Sequence, residues 1–171
     1  MTSKLYEDIA PRVQQVRRRI ENAAQKAGRN ANEITLVGVT KTQPIEAVRA
    51  LLQAGVTNIG ENRVQEMLDK QPQLTGIPHK MHLIGHLQRN KAKFLSGNID
   101  MLQSLDSAET MVALEKVYDA AGKTLDVLIE VNIGREDSKS GVNPDAVETL
   151  AEKIMASDTL RLKGLMAIPP I

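Results

Sequence analysis

Short apolar runs alternate with amphipathic helical stretches from residue 34 to the end of the chain, and only a few residues join one to the next. Few architectures accept that pattern. Parallel strands cannot be joined by a tight hairpin, so each needs a crossover, and a helix is the usual one. Apolar runs predict six strands at residues 34–39, 56–60, 80–84, 99–105, 125–132 and 160–166. Three- and four-residue spacing of apolar positions predicts helices at 4–28, 44–54, 63–71, 88–95, 107–121 and 143–156. Pro44 suits a first helical residue, Gly28 a helix stop, and Asp106 or Ser107 a cap. No low-complexity segment or linker interrupts the series, so residues 1–171 are expected to form one domain. Six units alone do not decide between an open sheet and a closed barrel.

Composition narrows the function classes. The net charge of +1 gives no general pull toward nucleic acid or membrane. With Tyr6, Phe94 and Tyr118 as the whole aromatic complement, base-stacking platforms are missing and the core must be aliphatic. The absence of cysteine excludes disulfides, thiolate catalysis and Cys-ligated metals. The N-terminus lacks the apolar core of a signal peptide, and no apolar run approaches the ~20 residues of a membrane span. A cytoplasmic protein is expected.

In α/β folds ligands bind at the carboxyl ends of the strands. Six strand ends here carry small or polar residues: Thr40-Lys41, Gly60-Glu61-Asn62, Gly85-His86, Ser104-Leu105, Asn132 and Met166-Ala167. Lys41 follows the first run and precedes Pro44, which places it in a βα turn. Behind it stands an apolar strand, expected to be buried. Lost hydration there would lower the ammonium pKa, and a neutral amine attacks an aldehyde to form a Schiff base. His82 falls inside the third strand, where a histidine is either a satisfied core residue or a ligand contact. His79, His82 and His86 lie across a strand and a turn with no carboxylate among them, which is not a zinc set.

Several motifs occur together and in order. Val39-Thr40-Lys41-Thr42-Gln43-Pro44 resembles the V-(S/T)-K-x-x-P motif of the pyridoxal phosphate homeostasis protein family. Gly60-Glu61-Asn62-Arg63-Val64-Gln65-Glu66 resembles its G-E-N-x-x-Q-E signature. The stretch from His82 through Gly85 and Gln88 to Asn90-Lys91 resembles its H-x-I-G-x-L-Q-x-N-K signature. Glu130-Val131-Asn132 with Lys139-Ser140-Gly141, and Gly164-Leu165-Met166, match its later strands. The resemblance implies a (β/α)8 TIM-barrel fold of the alanine racemase N-terminal type, here reduced to about six βα units. It implies pyridoxal 5′-phosphate as cofactor, held as a Schiff base on Lys41, with Asn62 near it and His82 and Met166 walling the pocket. It also implies buffering or delivery of the cofactor inside the cell rather than turnover, by a protein that is monomeric at full length and has no nucleic-acid or membrane partner.

The family continues past its G-L-M strand with a G-M-S-x-D segment and a terminal R-x-G-x-x-(I/L)-F-G segment that hold the cofactor phosphate. Neither is present, so the expectation is a shortened member with open edges at its first and sixth strands and weak or no cofactor binding. The alternative is a racemase-like enzyme, which needs a second acid/base opposite the lysine. Tyr6 and Tyr118 both fall on helices, and no second domain is present to add another. An aldolase-type lysine would need Glu61 or Glu130 as its partner, and Glu130 sits within an apolar strand.

Overall fold

The computed structural model describes residues 6–136 and 140–169. Among the described residues the fold is α/β, with six parallel strands and intervening helices. The chain divides into two compact units, residues 1–60 with 70–80 and residues 61–69 with 81–171.

The first unit holds α1 (Ile9–Lys26), β1 (Val37–Val39), α2 (Ile45–Gln53) and all but the last residue of β2 (Asn58–Glu61). Strands β1 and β2 run parallel with Val37 opposite Asn58 and Val39 opposite Gly60. The Lys80 N–H, at the start of β3 (Lys80–Leu83), bonds the Thr57 carbonyl at 2.8 Å. Val13 and Ala24 of α1 are buried, as are Ala47, Val48 and Leu52 of α2 and Val56 and Ile59 around β2. This aliphatic interior is what an aromatic-poor chain must build.

Three expectations are corrected here. The first strand is three residues long rather than six. Residues 31–33 coil into a 3-10 turn, capped by the Asn30 side chain accepting from the Asn32 N–H, and delay it. Nor is the strand buried: Val39 is 51% exposed and Ile34 38%. The physical reason is that β1 has a ladder partner on one side only among the described residues. Residues 71–74, expected as loop, form a 3-10 turn that takes Pro72 near its start, where no N–H is needed.

The second unit holds most of α3 (Val64–Lys70) and of β3, then β4 (Met101–Leu105), α4 (Ala108–Ala120), β5 (Leu125–Glu130), α5 (Val147–Met155) and β6 (Leu160–Met166). Lys70, the last residue of α3, belongs to the first unit. Parallel ladders place His82 opposite Met101, Leu102 opposite Val127 and Ile129 opposite Leu165. Ser107 caps α4 by accepting from the Thr110 N–H. Leu83, Leu102, Leu105, Leu114, Val127, Ile129 and Ile154 are fully buried between the sheet and its helices. The segment 89–94 winds as a 3-10 helix.

Candidate functional site

Lys41 stands where the sequence places it, two residues past the end of β1. The turn is pinned from below. Thr40 is 2% exposed, and its N–H bonds the Gly60 carbonyl at 3.0 Å. The Thr40 carbonyl accepts from the Gln43 N–H at 3.0 Å and from the Lys70 side-chain nitrogen at 2.7 Å. Thr42 then adopts φ 61 with its hydroxyl donating to the Lys41 carbonyl at 2.6 Å. A β-branched residue in the left-handed region is strained, and such strain persists where the surroundings over-determine it. Lys41 itself is exposed. The burial expected behind its amine is therefore not found, because β1 is not a buried strand.

In the second unit three strand ends are tied together. The Ile84 N–H donates to the Glu61 carbonyl at 2.9 Å, and the Ser104 hydroxyl donates to the Gly85 carbonyl at 2.6 Å. Gly85 lies so close to Asn62 that a Cβ on it would stand 2.4 Å from the Asn62 carbonyl oxygen. A glycine is required there, which gives the G of the H-x-I-G motif a physical reason. Gly141, at φ 108, likewise presses on the end of β5, where a Cβ would lie 2.7 Å from the Asn132 nitrogen. Val142 and Glu130 close that contact with a 2.8 Å backbone bond. Lys139, part of the same motif, lies outside the described residues.

Beside these strand ends is a cavity of about 930 Å³ lined by His86, Gln88, Arg89, Asp106, Ser107 and Ser140, among others. His86 Nδ1 meets Asp106 Oδ2 at 2.7 Å. Glu130, 7% exposed, has its carboxyl pushed above the ordinary range by burial and then by Asp106, with His86 acting in the opposite direction. The sequence showed His86 as a rim residue and Asp106 as a cap; their pairing depends on the β3–β4 register and is not written in spacing.

His82 is 5% exposed, with Nδ1 3.0 Å from Gln103 Nε2. With the amide donating, the ring carries its proton on Nε2. Asn62 follows β2, and Met166 ends β6 opposite Glu130. Both are half-buried. Asn62, His82 and Met166 thus share the second unit, and Lys41 belongs to the first. Tyr118 is buried in α4, so its hydroxyl stands at no strand end.

Parallel strands alternating with helices, and small or polar residues at the strand ends of each unit, define a class by fold: α/β proteins, in which the carboxyl ends of the strands are the usual place for a ligand. The model of the family described as alanine racemase, N-terminal domain, matches residues 12–170. A pyridoxal phosphate homeostasis protein of Aquifex aeolicus is 39% identical over 159 residues, covering 93% of this chain and 70% of that protein. A solved structure described as an unknown protein from Bifidobacterium adolescentis superposes with a TM-score of 0.86 at 35% identity, over 95% of this chain and 70% of that one. PipY of Synechococcus elongatus, solved with PLP bound, gives 0.76 at 28% identity over 89% and 71%. The chain belongs to the pyridoxal phosphate homeostasis protein family and has the alanine racemase N-terminal fold, spanning about 70% of the length of these relatives. Among the described residues, no helix is long and apolar enough to cross a membrane.

Proposed function

We propose that this chain serves the intracellular homeostasis of pyridoxal 5′-phosphate rather than a turnover reaction, and that Lys41 takes the cofactor as a Schiff base, with the weak affinity expected from its sequence. One observation carries the reading: Lys41 is an exposed amine in a strained turn whose preceding residue is buried and fixed by backbone and side-chain hydrogen bonds. Such a turn suits a fixed covalent attachment, since the amine is accessible while its backbone is not free to wander. Lys41 Nζ adds to an aldehyde carbon, and loss of water leaves a C=N bond. Bound there, the cofactor supplies an electron-accepting ring. Asn62, His82 and Met166 are the further proposed contacts. The names of the relatives and the bound ligand of PipY support the assignment.

The test is chemical trapping. The protein is incubated with excess pyridoxal phosphate, reduced with borohydride and mapped by peptide mass. Lys41 is expected to carry the label several-fold over the other lysines, and Lys41→Ala to abolish that excess. Even labelling over all exposed lysines would overturn the assignment.

A further inference from the structure

Lys70 ends a helix whose polar positions would ordinarily be solvated, yet it is 7% exposed. Its side-chain nitrogen is directed inward and donates at 2.7 Å to the Thr40 carbonyl, inside the unit that also holds Lys41. That carbonyl is the last acceptor of the chain before Lys41, and it simultaneously takes the Gln43 N–H that closes the turn. We propose that Lys70 is a positioning residue for Lys41: by holding the Thr40 carbonyl it fixes the peptide from which the cofactor-bearing amine projects. The inference rests on the assignment of the cofactor to Lys41 and adds a second lysine, 29 positions further along the chain (70 − 41), that never touches the cofactor.

Three features support it. A hydrogen bond from a charged donor is stronger and shorter than a neutral one, and burial strengthens it further. Thr42 holds φ 61, a conformation a β-branched residue keeps only when its neighbours are fixed. The Thr40 N–H and hydroxyl both donate to the Gly60 carbonyl, which sets the residue along the ladder, and the Gln43 N–H closes the turn on the Thr40 carbonyl. The Lys70 bond is a side-chain contact that acts on the carbonyl itself, and so on the plane of the Thr40–Lys41 peptide.

Lys70→Met keeps the aliphatic stem and removes the donor. Two readouts follow. The Gln43 amide, which shares the acceptor, should exchange with solvent about tenfold faster than in the wild type, while amides of β4 and β5 keep their rates. Labelling of Lys41 by pyridoxal phosphate and borohydride should fall by about tenfold with labelling of Lys26 and Lys153 unchanged. Equal Gln43 exchange in the two proteins overturns the positioning role; so does Lys41 labelling within about twofold of the wild type. If the wild type shows no preferential label at Lys41, the cofactor assignment has failed, and Gln43 exchange still decides the role of Lys70 in the turn. Should Lys70→Met not fold, the wild type decides: a hydrogen-bonded, buried Lys70 ammonium gives a slowly exchanging proton signal in 15N-lysine spectra at neutral pH. Solvent-like exchange at that nitrogen would sink the proposal.

Discussion

A methyl group on Gly85 would stand 2.4 Å from the Asn62 carbonyl oxygen and 2.8 Å from its Cα, closer than side-chain and backbone atoms can approach. Neither neighbour is the free end of a flexible chain, so Gly85→Ala must move the Asn62 turn. The expected cost is about 1–3 kcal/mol, with shifted Asn62 amide resonances as the local signature; an unchanged melting temperature and unchanged resonances would contradict it. Tyr118 poses the opposite case. Its hydroxyl is buried without a hydrogen-bond partner among the described residues, and burial followed by the Asp100 charge pushes its ionisation well above the usual phenol range. Deleting that oxygen removes an unmet desolvation cost, so Tyr118→Phe should raise stability by about 1 kcal/mol and the melting temperature by a few degrees. A lowered melting temperature would show that the hydroxyl has a partner. At this scale the glycines of the motifs were visible in the sequence, but what they approach was not. Lys70 was not visible at all, since a helix-terminal lysine carries no mark of burial.

Strand β5 brings a carboxylate into an apolar setting. The native Glu130 binds its proton more tightly than the unfolded chain does, for burial and the Asp106 charge both disfavour its anion. The sign follows: this residue's contribution is most favourable below the ordinary carboxylate value and is lost as pH climbs through the raised native value. Glu130→Gln should therefore gain stability relative to the wild type as pH is taken from acid to neutral. Paired urea titrations at both ends of that range check it, and a difference that is flat or runs the other way would refute it. Elements were the most legible level of this chain. The sixth strand was expected at residues 160–166 and is found at Leu160–Met166; Ser107 caps α4, and α2 starts just after Pro44. Several of the misses share one cause. At residues 31–33, 71–74 and 89–94 the chain winds with three residues per turn, and apolar spacing does not distinguish that from a helix end or a loop.

The family and the α/β alternation were legible across the chain because each motif marks a strand end, and strand ends recur with every unit. Burial of the outer strands was not legible, since an apolar residue is covered only if something packs on it. Among the described residues β1 pairs only with β2, and β6 only with β5. Both carry apolar side chains in the open: Val39 is 51% exposed and Leu165 59%. A strand with unpaired N–H and C=O groups and an exposed apolar face is a template for another strand, and natural edges are commonly blunted with lysine. Strand β6 has Arg161 and Lys163 exposed at its start, but from Gly164 to Met166 it has no charge. The 171-residue chain should therefore self-associate as its concentration rises, through its uncharged edge segments. Sedimentation velocity over a concentration series measures this directly. The weight-average mass of the wild type should climb with concentration. Leu165→Lys and Val39→Lys should each reduce the climb, and together reduce it further, because the two edges are separate sites. A monomer at every concentration, or association indifferent to both substitutions, would mean that these edges do not recruit partners.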